Sequence, residues 1–204
     1  MERPTDFLCG ASGWFRFVAW SAAFGFVLLP LHEFGHVLGY RLLGIPAAMS
    51  YTREWQLHGE PDRFLGVAGG PLFMALLCAL ALVLVYRKTW LTAAFPIAVI
   101  LSGERVLKYG QHWKWLLVRH QATPGMDETE MAGLLRWNPF SWYVILTLFY
   151  AAAWIVILSR LRYGARRNAL ICVVPLSLYV AMALLGIFVV ERNFFPKQFH
   201  LQFG

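Results

Sequence analysis

The sequence has little charge and few cysteines. Charged residues make up 14% of it, whereas soluble domains carry about 25%. The three cysteines, Cys9, Cys78 and Cys172, show no CxxC spacing, which argues against a thiolate metal site or a disulfide framework. There is also no run of lysine and arginine with interleaved aromatic residues that would track a phosphate backbone. The net charge of +7 therefore indicates basic loops at lipid headgroups, with no nucleic-acid partner.

Apolar residues, in contrast, are abundant and arrive in long blocks. They form 59% of the chain, and the mean hydropathy is +0.55. The blocks have membrane-spanning length and are not amphipathic stripes. They predict an all-α fold, a polytopic transmembrane helix bundle that forms one integral-membrane domain over residues 1–204. About five spans are expected, at residues 14–43, 64–86, 90–108, 142–161 and 169–190. No basic segment with a cleavage site precedes the first span, so we expect an uncleaved membrane helix there.

Two connections are longer than a turn. Residues 44–63 contain β-branched and aromatic residues that are compatible with a short interfacial hairpin or loop. Residues 109–140 begin with the basic-aromatic stretch QHWKWLLVRH, interpreted as an interfacial helix, and an acidic turn at Asp127 predicts a second short helix. The third span contains Pro96 and the polar residues 102–105, which predict a broken helix whose polar part faces protein or water.

The motif His32-Glu33-Phe34-Gly35-His36 lies inside the first apolar span. Two histidines four residues apart stack on one helical face and can present both imidazoles to a single zinc ion. Glu33 points towards the same pocket, where it can act as general base on a zinc-activated water and then donate a proton to the leaving amine. Ionisable groups at membrane depth are costly and mark functional sites, so we expect a metal centre with one zinc ion per chain.

A catalytic zinc has three protein ligands and one open position. Asp127 and Glu104 are both candidates for the third ligand. Asp127 begins a short helix that could re-enter towards the metal, and its alternative role is a helix cap. Glu104 lies at a matching depth in the third span, and its alternative role is an ion pair with Arg105 or a lysine. Residue chemistry alone does not choose between them. The other histidines, His58, His112 and His120, are interpreted as interfacial loop residues.

The segments HEFGHVLGYRLLG and GVAGGPLFMALLCALAL together resemble the intramembrane zinc metalloproteases of the site-2 protease family, specifically their small bacterial members. The resemblance covers about residues 30–135 and places a metalloprotease-like core at 14–140, followed by two further membrane helices at 141–190. It implies His32 and His36 as zinc ligands, Glu33 as catalytic base and Asp127 as the aspartate of the later LDG-type motif. It also implies that the substrate-binding part of the second helix contains three residues: Gly66, Gly70 and Pro71.

Two positions depart from the family pattern. Met74 stands where many relatives have Asn, Ser or Gly, so a polar group that could hold a substrate backbone is missing there. The later motif reads Pro-Gly-Met-Asp-Glu in place of Pro-x-Leu-Asp-Gly. The resemblance implies an intramembrane endopeptidase that hydrolyses peptide bonds in or near transmembrane segments. The alternative is an inactive metal-binding protein of the same fold that acts as a chaperone or assembly factor.

The expected partners are the lipid bilayer, a membrane-protein substrate and a regulatory membrane partner, in a bacterial inner membrane. Positive charge is concentrated in the short loops, which favours a cytoplasmic N-terminus under the positive-inside rule. These basic loop residues are Arg87, Lys88, Arg160, Arg162, Arg166 and Arg167.

Overall fold

The computed structural model describes residues 8, 10–57, 62–87, 91–120, 125–161 and 164–195. The fold is all-α, as predicted, with one small sheet. The elements are α1 (Ala11–Leu42), β1 (Ala47–Met49), β2 (Glu54–Gln56), α2 (Phe64–Tyr86), α3 (Leu91–Arg119), α4 (Asp127–Leu134), α5 (Ser141–Arg160), α6 (Ala165–Leu185), a π-helical segment (Gly186–Glu191) and α7 (Arg192–Phe194).

Four helical segments in the described residues are long and apolar enough to cross a membrane: α1, α2, α5 and the run Ala165–Phe194. Their outward faces carry large apolar side chains such as Leu76, Leu148 and Ile155, which are 64%, 66% and 67% exposed. Such faces are costly in water and favourable in lipid, where a helix satisfies its own backbone hydrogen bonds. The chain is therefore an integral membrane protein.

Helix α3 differs from the prediction made for the third span. It runs without a break from Leu91 to Arg119 and contains both Pro96 and the polar residues 102–105. The region 109–119, predicted to begin a separate connection, is the second half of this helix, and His112 lies within it. Pro96 lacks an N–H, so one backbone carbonyl of the helix loses its usual hydrogen bond, whereas the other hydrogen bonds of the helix remain. The leucine, lysine and glutamine residues that follow Pro96 favour helix, and the helix therefore continues.

The connection after α1 folds as the expected hairpin. Strands β1 and β2 are antiparallel, with Ala47 opposite Gln56 and Met49 opposite Glu54. Two contacts hold the hairpin on α1: the Arg41 guanidinium donates to the Ala47 carbonyl at 3.0 Å, and Asp62 accepts hydrogen bonds from Tyr40 and Gln56 at 2.9 Å each. The end of α1 and the base of the hairpin are thus fixed together.

The chain divides into two compact units. The first contains the residues up to Phe26 together with Ala75–Gly110 and Leu146–Met182. Its core is apolar and includes Phe17, Phe95, Val99, Ile157 and Ile171, all of them buried. The second unit contains Val27–Met74, Gln111–Ile145 and the residues from Ala183 onward. The second half of α1, the hairpin, the first half of α2, α4 and the π-helical segment all belong to this unit.

Candidate metal centre

His32 and His36 lie one turn apart on α1 and face the same side. Their Nε2 atoms are 3.3 Å apart, and their rings meet edge to face with centroids 4.8 Å apart. The side chain of His36 is buried, and that of His32 is 12% exposed. The spacing of four residues on a helix of 3.6 residues per turn produces this pairing, so the sequence prediction for the two histidines agrees with their geometry.

Asp127 lies beside both histidines although it is far from them in sequence. Its Oδ2 is 3.0 Å from His32 Nε2 and 3.5 Å from His36 Nε2. Asp127 is the first residue of α4, directly after Met126 in extended conformation and Gly125 with φ of 67°. The carboxylate is thus held at the positive end of a helix dipole. Of the two predicted third ligands, Asp127 is the one that the structure brings to the histidines.

The three atoms fit a tetrahedral zinc ion. Zinc bonds to histidine nitrogen and carboxylate oxygen are about 2.0–2.1 Å, and the corners of a tetrahedron with such bonds are about 3.3 Å apart. The observed separations of 3.0, 3.3 and 3.5 Å lie on both sides of that value. A site with more than four ligands would need a different coordination geometry or a different ion. The donor set of two imidazoles and one carboxylate leaves a fourth corner open, as in catalytic zinc sites.

Helix α2 supports the histidines through its backbone. His36 Nδ1 donates to the Gly66 carbonyl at 2.9 Å, which fixes a proton on Nδ1 and makes Nε2 the ring nitrogen that would bind a metal. Gly70 lies directly against the rings, because a Cβ on it would be 2.2 Å from His36 Nε2 and 2.7 Å from a carbon of His32. Gly66 and Gly70, predicted to bind substrate, thus contact the histidines themselves.

The remaining predicted residues lie elsewhere in the fold. Pro71 is buried within α2, and the Met74 side chain on the same helix is 1% exposed. Glu104 is on α3 in the first unit, where its Oε2 is 3.2 Å from Arg105 Nε. It is in neither group of potential ligands found among the described residues. His58 lies outside the described residues.

Glu33 is buried beside His36 and has a second carboxylate as neighbour. Oxygen and nitrogen atoms of Glu33, His36 and Glu54 all lie within 4.8 Å of one another. Burial acts to raise the pKa of Glu54, but a hydrogen bond with Glu33 and the charge of His36 lower it below its usual range overall. Two carboxylates this close share a proton or face a cation, so the pair is suited to a site that holds positive charge.

Glu54 is the residue of this candidate centre that the sequence analysis missed. It begins β2, and it is the one acidic residue between Ala47 and Gln56 in the sequence. A lone acid within an otherwise uncharged or basic hairpin, next to a helix bearing the histidine motif, was the available signal. This signal could not show how close Glu54 lies to the histidines, because the register of the hairpin decides which side chain faces α1.

The environment of Asp127 is that of a ligand. Burial acts to raise the pKa of this carboxyl group, but hydrogen bonds and charge from His32 and His36 hold it well below its usual range. A carboxylate that stays ionised in a partly buried place is ready to bind a cation without first losing a proton.

The chain matches no family model, no curated protein and no solved structure. What the fold and the candidate centre define by themselves is a class: an integral membrane protein of helices, with two histidines and three carboxylates converging beside a hairpin.

Proposed function

We propose that the protein is an intramembrane zinc endopeptidase that resembles the site-2 protease family. The observation that carries the proposal is the convergence of His32, His36 and Asp127 at tetrahedral separations, with Glu33 buried next to them. Glutamate between two zinc-binding histidines is the arrangement of water-activating metalloproteases. The open fourth position argues against a structural role, because structural zinc sites close all four positions with protein ligands.

Each side chain has a role in peptide hydrolysis. A zinc ion held by His32, His36 and Asp127 would supply Lewis acidity, which polarises a carbonyl and lowers the pKa of water to about 7. His36 is oriented by the Gly66 carbonyl, and Asp127 is oriented by the start of α4. Glu33 accepts the proton of the attacking water on its carboxylate and returns it to the leaving amine nitrogen. The buried surroundings of Glu33 strengthen these electrostatic interactions and exclude bulk water.

The location of the centre favours substrates that are themselves membrane segments. His32, Glu33 and His36 lie within α1, which is a candidate membrane span. A substrate helix must unwind before water can reach its carbonyls, and the two-stranded sheet beside the centre has outer edges that could pair with an unwound segment. The proposed substrate class is therefore membrane proteins cleaved in or near a transmembrane segment.

The test compares Glu33→Gln with the wild type. Membranes from cells that express each form are analysed by mass spectrometry of new protein N-termini, and metal content is measured on the purified protein. We expect Glu33→Gln to keep about one zinc per chain and to lose the new N-termini, because an amide cannot accept the proton. Glu104→Gln is the matched control, since it removes an acid from α3 and not from the centre; it should retain cleavage.

A second function is supported by Met74. This apolar side chain is 1% exposed on α2 and stands where many members of the resembled family have Asn, Ser or Gly, so a polar group that could hold a substrate backbone is missing. The alternative is a metal-binding membrane chaperone or assembly factor without turnover. Under this alternative the wild type and Glu33→Gln would produce the same set of N-termini while both bind zinc.

A further inference from the structure

The last apolar helix of the chain is bonded to the tip of the hairpin. One carboxylate oxygen of Glu191 accepts a hydrogen bond from Ser50 Oγ at 2.9 Å, and the other accepts one from the Tyr51 backbone N–H at 2.9 Å. Ser50 and Tyr51 are 2% and 4% exposed. A charged acceptor that satisfies two buried donors is among the stronger hydrogen-bonding arrangements, so this contact holds the hairpin turn firmly.

A second contact lies five residues earlier on the same segment. Gly186 packs on Tyr51 so closely that a Cβ there would be 1.9 Å from the ring. In an α-helix, residues five apart point about 140° away from each other, because each residue turns the helix by about 100°. The segment Gly186–Glu191 is instead a π-helix, whose bonds join residues five apart and stack them. The π-helix thus puts Gly186 and Glu191 on the same side, and both contact the hairpin turn.

The contacts of Glu191 and Gly186 with the hairpin turn also constrain the position of Glu54. Ser50 N donates to the Arg53 carbonyl at 2.7 Å, which closes the turn, and Glu54 follows as the first residue of β2, opposite Met49. Because side chains alternate along a strand, fixing the turn fixes which way Glu54 points. Its carboxylate then lies within 4.8 Å of ligand atoms of Glu33 and His36.

We propose that Glu54 is a further carboxylate of the metal centre and that Glu191 is the residue that positions it, acting through the hairpin turn. The chemical reason is charge: Glu54 places a negative group beside His36 and Glu33, where it stabilises a bound dication and orients the base. Groups that surround metal ligands in this way change metal affinity 10–100-fold when they are removed. The proposal rests on the proposed function in needing a metal at His32, His36 and Asp127.

The test measures how fast zinc leaves the detergent-purified protein when a coloured chelator is added. Four proteins are compared with the wild type: Glu54→Gln, Glu191→Ala, the double variant and Glu104→Gln. We expect Glu54→Gln and Glu191→Ala each to release zinc about tenfold faster. The double variant should be no faster than Glu54→Gln, because Glu191 acts through Glu54. Glu104→Gln, which removes an acid of α3 that is in neither group of potential ligands, should release zinc at the wild-type rate.

Hydrogen exchange of residues 47–56 in the zinc-free protein tests the hold on the turn separately. Glu191→Ala should speed exchange there. Ser50→Ala should do so too, because it removes one of the two bonds to Glu191 together with the bonds of Ser50 Oγ to Thr52 N and the Arg53 carbonyl. Unchanged exchange in both variants would overturn the positioning role of Glu191. Additive effects on zinc release would show that Glu191 does not act through Glu54. A wild type that binds no metal would overturn the proposed function and the role of Glu54, while exchange would still decide whether Glu191 holds the hairpin.

Discussion

At the scale of single residues, the centre depends on how closely α2 approaches the histidines. Gly70 leaves the space in which the two rings lie, and any side chain there would displace His36 first, because its Nε2 is 2.2 Å from the position of a Cβ. The neighbouring atoms are parts of the centre itself and are held by Asp127 and Gly66. Glycine is required here for a close approach and not for backbone conformation.

Gly70→Ala should therefore lose zinc while the protein stays folded. The added methyl group pushes an imidazole away from the tetrahedral position, and we expect affinity to fall at least about tenfold. Gly110→Ala on α3 is the matched control, since a Cβ there meets nothing within 4 Å and alanine favours helix over glycine. Zinc titration in detergent measures both. Equal affinity in the two variants would contradict the packing argument.

The third ligand can be tested without changing the shape of the site. Asp127→Asn keeps the size of the side chain and removes its charge, so the imidazoles lose the anion that lies 3.0 and 3.5 Å from them. We expect at least about a tenfold loss of zinc affinity, measured by mass spectrometry of metal content after dialysis. Glu104→Ala should keep its zinc. The reverse pattern, with metal lost from the Glu104 variant alone, would transfer the ligand role to α3.

At the scale of secondary-structure elements, α4 has the task of delivering Asp127 to helix α1. It is eight residues long, too short to be stable alone, so its position depends on contacts with its surroundings. One contact is the hydrogen bond at 3.1 Å between Thr129 Oγ1 and the Tyr143 hydroxyl on α5. Met131 and Ala132 on the other side are fully buried. The position of the Asp127 carboxylate thus depends on contacts that later residues of α4, beginning with Thr129, make with their surroundings.

Weakening that contact should loosen the metal without touching a ligand. Thr129→Val and Tyr143→Phe each remove the hydrogen bond, which contributes about 1 kcal/mol, or about fivefold in an equilibrium constant. Zinc release in each variant should be a few times faster than in the wild type. The double variant should match the single ones, because the same hydrogen bond is lost in all three. An additive double variant would mean that the two side chains act on the centre independently.

The elements differ in how far the sequence could predict them. Long apolar runs such as 64–86 and 142–161 specify their helices directly, and α2 and α5 begin and end within two residues of those bounds. The prediction ends α3 early because it treats residues 102–105 as a break and residue 109 as the start of a connection, although a helix can continue through polar residues that face protein. The two histidines followed from their spacing.

The acidic residues of the centre that are distant in sequence from the histidine motif were harder to predict. Asp127 and Glu104 could not be separated by residue chemistry, because both are acids in or near an apolar helix; family resemblance favoured Asp127. Glu54 and Glu191 depend on the register of a hairpin and on a π-helix, neither of which leaves a period in the sequence. Local patterns therefore predict the elements and the histidine pair, whereas the carboxylates that complete the centre depend on tertiary packing.

At the scale of the whole molecule, contacts within the second unit constrain how the chain crosses the membrane. The hairpin follows α1, Asp127 follows α3 and Glu191 follows α6, yet Asp127 contacts His32 and Glu191 contacts the hairpin turn. Helix α2 leads the chain away from the hairpin, so α3 must bring it back before α4. Helix α3 is not apolar enough to rank with the four candidate spans, but this path predicts that it crosses as a fifth.

Cysteine labelling in intact cells can test the crossing of α3. In a form with its three native cysteines replaced, single cysteines are placed at Arg53, Arg87, Asn138 and Arg166, all exposed. A crossing α3 puts Arg53 and Asn138 on one side and Arg87 and Arg166 on the other. The positive-inside rule puts the arginine-rich pair in the cytoplasm, so a membrane-impermeant thiol reagent should label only positions 53 and 138. If position 138 were protected together with 87, α3 would not cross; if 87 and 166 alone were labelled, the crossings would stand and the orientation would be reversed.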